Sequence, residues 1–272
     1  EYTVPKKVLD MEDGDQGLLY FAVRPSNAAG KGAMKQTNNM LAGQSYQAPW
    51  KESCAEGIPA SYWMVDDYSQ FNLTTWETSS FCSDNDGGSF CFKPSISSDQ
   101  SADSCTVFFG KVNIKKLTKP ALRFDTYVTP KSNAWIDVKI ATNSDVEERT
   151  TIGKVDFSDM TEGGWKTITI GLDEYLDADN VMLAFAGHSP NVPLYIDNLR
   201  LTDYADKNLE VTSVSAPVKV YSGDDATVKV YVSNEGKNAA DKYDVNLYAD
   251  GKLVSTQYGT DIQPDGKQEL DF

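Results

Sequence analysis

The sequence predicts an all-β protein built from β-sandwiches. Helical periodicity is almost absent, and the apolar residues come in short alternating runs rich in Val, Ile, Thr, Tyr and Phe. Turn residues separate these runs, for example at Asp13-Gly14, Gly163-Gly164 and Asp250-Gly251. We therefore expect sandwiches of antiparallel strands joined by tight turns.

The alternating runs place the strands along the chain. The clearest ones are predicted at 18–23, 106–109, 121–129, 134–141, 166–170, 180–186, 194–201, 226–234 and 244–249. The stretch 173–176 predicts one short helical turn.

Composition limits the classes of partner. The chain has 272 residues, of which 40 are acidic and 25 basic, giving a formal net charge of −15. This negative balance disfavours nucleic acid and anionic membrane surfaces as partners. No run of about 18 apolar residues occurs, so no membrane-spanning helix is expected. The length is compatible with two or three domains.

The four cysteines, Cys54, Cys82, Cys91 and Cys105, indicate an exported protein. They form no C-x-x-C pair, and the single His188 does not complete a zinc site of the usual spacing. We expect at least one disulfide, Cys82–Cys91 first and Cys54–Cys105 second, because a turn-rich stretch lies between Cys82 and Cys91. Four buried thiols are the alternative. The expected location is secreted or at the cell surface.

The central block, residues 44–204, carries a resemblance in the order of its motifs. These are Tyr46-Gln47-Ala48-Pro49-Trp50, Phe109-Gly110-Lys111-Val112-Asn113-Ile114, Gly164-Trp165-Lys166-Thr167 and Tyr195-Ile196-Asp197-Asn198. The order resembles the jelly-roll superfamily that includes MAM domains, the cleaved-adhesin domains of secreted bacterial peptidases and the choice-of-anchor modules of bacterial surface proteins. The resemblance implies a jelly-roll β-sandwich. The cysteine pattern departs from that of MAM domains.

Both flanking blocks resemble parts of modules. Residues 1–43 contain Leu18-Leu19-Tyr20-Phe21-Ala22-Val23, which resembles the end of a fibronectin type III domain. Residues 205–272 contain Val228-Lys229-Val230-Tyr231-Val232-Ser233-Asn234 and resemble the CARDB family of immunoglobulin-like bacterial adhesion modules. We expect the first block either to pack on the jelly roll or to have its missing half elsewhere. We also expect few strands after Gly266, and a chain that is an excerpt of a longer protein with further domains on both sides.

Catalysis is weakly supported by the sequence. His188 is the only histidine, it is expected in a loop, and no G-x-S-x-G nucleophile motif occurs. A glycosidase mechanism with two paired carboxylates stays an alternative, because the sequence has 40 acidic residues from which such a pair could come. We expect no enzyme activity from this chain.

A calcium site is expected at Glu52 and Asp197. The first and last strands of a jelly roll are neighbours, and the resemblance implies calcium in many relatives. A carboxylate in the middle of an apolar strand is costly to desolvate unless it is paired or ligated. Calcium takes such oxygens together with backbone carbonyls. Alternatively, Asp197 caps a loop or pairs with Arg200 or a lysine.

Exposed aromatic rings are the candidates for a sugar-binding surface. Tyr62 and Trp63 lie in a loop-like stretch and are the best candidates for exposure. Trp76 and Trp165 occupy positions where the resemblance implies core aromatics, so we expect both to be buried.

The expected function is non-catalytic binding or adhesion in a secreted or surface-anchored multidomain bacterial protein. The partner would be a glycan or a protein on a cell or matrix surface. Two alternatives stay open. The chain could be the accessory region of a secreted peptidase or glycoside hydrolase, or a structural spacer of a surface filament.

Overall fold

A computed structural model describes residues 16–37, 40–55, 62–65, 75–83, 87–94, 103–143, 145, 148–221, 223 and 225–272. The chain divides into two compact units, Glu1–Asp203 and Tyr204–Phe272. Residues 1–43, treated above as a separate block, therefore belong to the first unit. Across the described ranges, the search for a helix long and apolar enough to cross a membrane finds none.

Strands make up most of both units, so the all-β prediction is confirmed. The first unit contains β1 (Gln16–Leu19), β2 (Ala22–Val23), β3 (Ser26–Asn27), β4 (Gly30–Lys31), β5 (Lys35–Gln36), β6 (Met40–Gly43), β7 (Tyr46–Gln47), β8 (Trp50–Glu52), β9 (Tyr62–Val65), β10 (Thr75–Ser79), β11 (Ser89–Lys93), β12 (Asp103–Phe109), β13 (Val112–Asn113), β14 (Pro120–Val128), β15 (Trp135–Ala141), β16 (Thr150–Asp156), β17 (Gly164–Gly171), β18 (Met182–Ser189) and β19 (Leu194–Asp203). The second unit contains β20 (Leu209–Ser215), β21 (Lys229–Asn234), β22 (Ala240–Ala249), β23 (Lys252–Ile262) and β24 (Lys267–Asp271). The predicted helical turn is a 3-10 helix, Asp173–Tyr175.

Two antiparallel sheets form the body of the first unit. A six-stranded sheet has the order β10-β11-β19-β14-β17, with β8 also paired to β19. A five-stranded sheet has the order β16-β15-β18-β12-β9. The first and last strands of the predicted jelly roll, β8 and β19, are therefore neighbours, as expected.

The core lies between the two sheets because alternate residues of each strand face inward. Leu122, Phe124 and Val128 of β14 lie in one core cluster with Ile136 and Val138 of β15. Each of these side chains is fully buried. This alternation is the pattern that predicted both strands.

The alternation changes in β19 at a β-bulge. Leu194 and Ile196 lie in the core, and the next core residue is Leu199, three positions further on. The register with β14 shifts at the same place, and Asn198 has a positive φ of 48°. The extra residue of a bulge produces this shift. Asp197 follows Ile196 in the regular alternation and lies on the side of the sheet that faces away from the core, whereas the extra residue returns Leu199 to the core.

The N-terminal segment packs on the outer face of the five-stranded sheet, as predicted. Leu41 of β6 is 1% exposed. It lies in a small apolar cluster with Phe108, Ala141, Met182 and Ala184.

The second unit has its own small core. Its strands form a three-stranded sheet, β20-β21-β24, and a hairpin, β22-β23. Val230, Val232 and Ile262 are buried between them. One strand, β24, follows the turn at Gly266 and pairs along its length with β21. Its alternating Lys-Gln-Glu-Leu-Asp sequence has little apolar content, so the pattern is weak.

Candidate functional site

The outer face of the six-stranded sheet carries the residues that alternate with the core residues. On β14 these are Asp125 and Tyr127, and on β17 they are Trp165 and Thr167. Tyr195 lies on the same face of β19 and pairs with Cys91 of β11. This face therefore presents aromatic and polar side chains next to each other.

Four rings form an aromatic cluster on this face: Phe81, Tyr127, Trp165 and Tyr195. The centroid of Phe81 lies 4.8 Å from that of Tyr127, 5.4 Å from that of Trp165 and 5.1 Å from that of Tyr195. The remaining centroid distances lie between 5.7 and 6.3 Å. Most pairs are edge-to-face, the arrangement that aromatic quadrupoles favour. Phe81 is 42% exposed and the other three are half-buried.

A polar cluster adjoins the rings and is centred on Asp125. Asp125 Oδ1 accepts hydrogen bonds from Thr167 Oγ1 at 2.7 Å and from Arg200 Nη2 at 3.2 Å. Its Oδ2 accepts from Ser83 Oγ at 3.0 Å and from Asn198 Nδ2 at 3.3 Å. Asp125 and Arg200 are only partly exposed, with 15% and 16% of their side-chain surfaces accessible. Partial burial strengthens such charge-assisted bonds.

Asp197 joins the polar cluster to the segment that carries Phe81. The side chain of Asp197 is fully buried. Its Oδ2 accepts the Ser83 N–H at 2.8 Å, and its Oδ1 accepts the Asn198 N–H at 2.8 Å. Asn198 Nδ2 also donates to Ser83 Oγ at 2.8 Å. Asp197 therefore caps the 81–83 segment, which is one of the alternatives predicted for it.

Burial also affects ionisable groups beside the rings. Burial raises the pKa of the Cys91 thiol and the pKa of the neighbouring Tyr195 hydroxyl. Both groups therefore stay protonated at neutral pH. Asp125 and Asp197 are acidic groups on this face, and Arg200 forms an ion pair with Asp125.

The arrangement suits a ligand that has both an apolar face and hydroxyl groups. Aromatic rings offer π-faces and edges to C–H groups. Carboxylate, amide and guanidinium groups accept and donate hydrogen bonds to hydroxyls.

The tryptophans divide between the core and the outer faces. Trp76 is 1% exposed, and its Nε1–H donates to the Cys105 carbonyl at 3.0 Å, so its predicted burial is confirmed. The prediction that Trp165 is a core residue is wrong, because its register with Tyr127 puts it on the outer face. Tyr62 and Trp63 lie in strand β9 rather than in a loop. Their side chains lie outside the described part of the structure, so their role as ligand-binding residues stays a prediction.

Glu52 and Asp197 lie on neighbouring strands. Glu52 of β8 pairs with Leu199 of β19, two positions beyond Asp197. The Oε1 atom of Glu52 accepts the Cys54 N–H at 2.9 Å. Leu199 is a core residue, so Glu52 shares the inner side of the sheet, whereas Asp197 is on the outer side. The described residues contain no group of three or more metal-ligating side chains. A calcium ion shared by these two carboxylates stays a prediction.

The structure contains no disulfide between the four cysteines, so neither predicted bridge is present in it. Cys54 and Cys105 lie in the main core, and Cys91 lies beneath Tyr195 on the outer face. Cys82 is half-buried between Phe81 and Ser83. Thiol labelling of the unfolded, unreduced protein will decide whether oxidation adds the Cys82–Cys91 bridge.

His188 lies in strand β18, which corrects the prediction of a loop residue. Its ring stacks on Trp135 with centroids 4.6 Å apart and planes 9° apart. Its Nε2 lies 3.2 Å from Asp137 Oδ2. Burial lowers the pKa of His188, and Lys139 and Lys154 add to this effect, whereas Asp137 opposes it. His188 is thus part of a packed ladder on the five-stranded sheet.

Comparison with known proteins finds a family-model match within the second unit and solved structures similar to part of the chain. The K1 and K3 cleaved adhesin domains of Lys-gingipain from Porphyromonas gingivalis W83 match with TM-scores of 0.45, at 14% and 16% identity, covering 57% of this chain and 98% of theirs. The carbohydrate-binding module TmCBM61, solved with β-1,4-galactotriose, matches with a TM-score of 0.40 at 11% identity, covering 56% of this chain and 94% of its own. A search of curated proteins finds no match. Residues 206–272 match the family model of CARDB, as their sequence predicted.

Proposed function

We propose that this chain is a non-catalytic binding region of a secreted or surface-anchored protein, and that its first unit binds glycans on the outer face of the six-stranded sheet. The observation that carries the proposal is the aromatic cluster lying directly beside the polar cluster. Sugars present C–H faces and hydroxyl groups together, and this face offers a partner for each.

Three features support a glycan over a macromolecular polyanion or a membrane. The net charge of −15 opposes binding to nucleic acid or an anionic surface. The hydrogen-bonding groups are the types that bind hydroxyls in both directions, since Asp125 only accepts and Asn198 does both. The half-buried rings of Tyr127, Trp165 and Tyr195 belong to strands, so the sheet holds them in fixed positions.

The test is binding of soluble oligosaccharides to the whole chain, measured by calorimetry. A panel of β-1,4-galactotriose, mannohexaose and cellohexaose samples different stereochemistries. Trp165→Ala removes one ring of the aromatic cluster and is expected to weaken binding at least about fivefold. Stacking of an aromatic side chain on a nucleic-acid base, a flat face of comparable size, is worth about 1–3 kcal/mol, and 1.4 kcal/mol corresponds to a factor of ten.

The chain offers a matched control in Trp135→Ala. Trp135 is also half-buried on the outer face of a sheet, but it belongs to the five-stranded sheet. Its replacement should leave the affinity unchanged. Equal loss in both variants would point to general unfolding, which melting curves would reveal. Absence of binding to every member of a wider glycan array would favour the protein-binding or spacer alternatives.

We also propose that calcium stabilises the first unit through Glu52 and Asp197. Support comes from the burial of Asp197 and from the pairing of β8 with β19, which makes the two strands neighbours. Because Glu52 is the last residue of β8 and starts from the inner side of the sheet, its carboxylate would have to reach the outer side beyond the end of that strand. The carboxylates would supply hard oxygen ligands, and the ion would add charge compensation for Asp197. The melting experiment for this proposal is described in the Discussion.

A further inference from the structure

The 81–83 segment lies on the proposed glycan site in the position that a ligand would take. It follows β10 and folds back over the outer face of the sheet. Phe81 N–H donates to Ser79 Oγ at 3.1 Å, and Ser89 Oγ donates to the Phe81 carbonyl at 2.7 Å. These two bonds fix the near end of the segment beside β11.

The ring of Phe81 covers the other three rings of the aromatic cluster. It lies 4.8–5.4 Å from the centroids of Tyr127, Trp165 and Tyr195, which are closer to it than to one another. Phe81 itself is 42% exposed. An apolar group from a flanking segment therefore occupies the surface on which the C–H face of a sugar would stack.

The hydroxyl of Ser83 occupies the adjoining polar cluster. It donates to Asp125 Oδ2 at 3.0 Å and accepts from Asn198 Nδ2 at 2.8 Å. A sugar hydroxyl can make the same two hydrogen bonds, because it can donate to a carboxylate and accept from an amide N–H. The Ser83 N–H, bound to Asp197, holds the segment in this position.

We propose that the 81–83 segment is an internal ligand mimic that closes the glycan site, and that a neutral sugar binds by displacing it. This inference rests on the proposed function of the same face. The incoming sugar would stack on Tyr127, Trp165 and Tyr195 and take over the bonds of Ser83 to Asp125 and Asn198. The apparent affinity is then reduced by the fraction of molecules in which the segment is closed.

The double variant Phe81→Ala/Ser83→Ala tests the proposal in the whole chain. It removes both mimicking groups but keeps the backbone bond to Asp197. With the tightest-binding oligosaccharide of the panel, the variant is expected to bind about tenfold more tightly than wild type. Tyr20→Ala removes another exposed aromatic ring outside the site and should leave the affinity unchanged.

The outcomes separate this proposal from the proposed function. Weaker or unchanged binding by the double variant, with Trp165→Ala still binding more weakly than wild type, would overturn the mimic and leave the glycan site intact. If neither the wild type nor any variant binds a sugar, hydrogen exchange of the ligand-free protein tests whether the 81–83 segment opens. A displaceable segment requires the Ser83 amide to exchange at least about a hundredfold faster than the amides of β14 and β19. Equal protection would overturn the mimic.

Discussion

At the scale of single residues, Asp197 shows how a polar residue in an apolar strand is used. The sequence singled it out because a buried carboxylate needs partners. The structure provides two backbone N–H donors, one of them from a segment 114 residues away in the chain. Such a distant partner has no periodic signature, so the sequence could predict that Asp197 is satisfied but not by which group. For the same reason, the sequence did not predict that Phe81 and Ser83 belong to this site.

Replacing Asp197 by Ala should destabilise the first unit. The substitution leaves the Ser83 and Asn198 amides without their acceptor in a buried site, a loss of about 1–3 kcal/mol. Urea unfolding curves would measure the change in the free energy of unfolding. Ser83→Ala keeps its backbone N–H and should cost clearly less. Equal losses would contradict the role assigned to the Asp197 carboxylate.

His188 should make the stability of the first unit depend on pH. Its pKa is lowered in the folded state, chiefly by burial, so the unfolded chain binds the proton more readily. Stability is therefore full above the unfolded pKa of about 6.5 and falls as the pH drops below it. His188→Gln should have a flatter melting-temperature profile between pH 7 and pH 5. A steeper fall of the melting temperature with falling pH in His188→Gln would contradict a lowered pKa of His188 in the folded state.

At the scale of elements, the strands follow the alternation of apolar residues, and their functions follow the side that each residue takes. β14, β15 and β19 were predicted to within about two residues because their cores alternate strictly. β16 and β24 were missed, since polar residues fill most of their positions. Trp165 was assigned to the core because its ring is large and apolar. Only the register with Tyr127 shows the side it takes.

Close packing of β18 against the opposite sheet gives an element-scale prediction. A Cβ added at Gly187 would lie 2.8 Å from two ring atoms of Phe92 and 3.1 Å from Trp76, both fixed in the core. Gly187→Ala should therefore lower the free energy of unfolding by about 1–3 kcal/mol. At Gly171 the nearest atom is a flexible Asp173 oxygen at 3.6 Å, so Gly171→Ala is the control and should be close to neutral. A neutral Gly187→Ala variant would contradict the packing of these two sheets.

At the scale of the molecule, the fold class and the second module were predictable, whereas the site was not. Composition and turn spacing predicted an all-β chain. The match of residues 206–272 to the CARDB family model agrees with the motifs in that block. The outer face of the six-stranded sheet joins residues from the 81–83 segment, β14, β17 and β19. No sequence pattern links these positions, because they come together only through the strand order.

Calcium should raise the melting temperature if the metal proposal is correct. An ion that binds only the folded state adds about 2.7 kcal/mol at a hundred times its dissociation constant. The expected result is a rise in millimolar calcium, a fall with chelator, and no response in Asp197→Ala. Identical melting in calcium and chelator, with no calcium in metal analysis of the purified protein, would end the proposal.

The most direct test of the central claim is an NMR titration of the indole N–H signals with β-1,4-galactotriose, mannohexaose and cellohexaose. Trp165→Phe and Trp135→Phe assign the two signals that matter. The account predicts that at least one sugar shifts the Trp165 signal in a saturable way, while the Trp135 signal on the other sheet stays in place. Sugar-dependent shifts at Trp135 or elsewhere with Trp165 unmoved, or no shift with any of the sugars, would contradict a glycan site on the outer face of the six-stranded sheet.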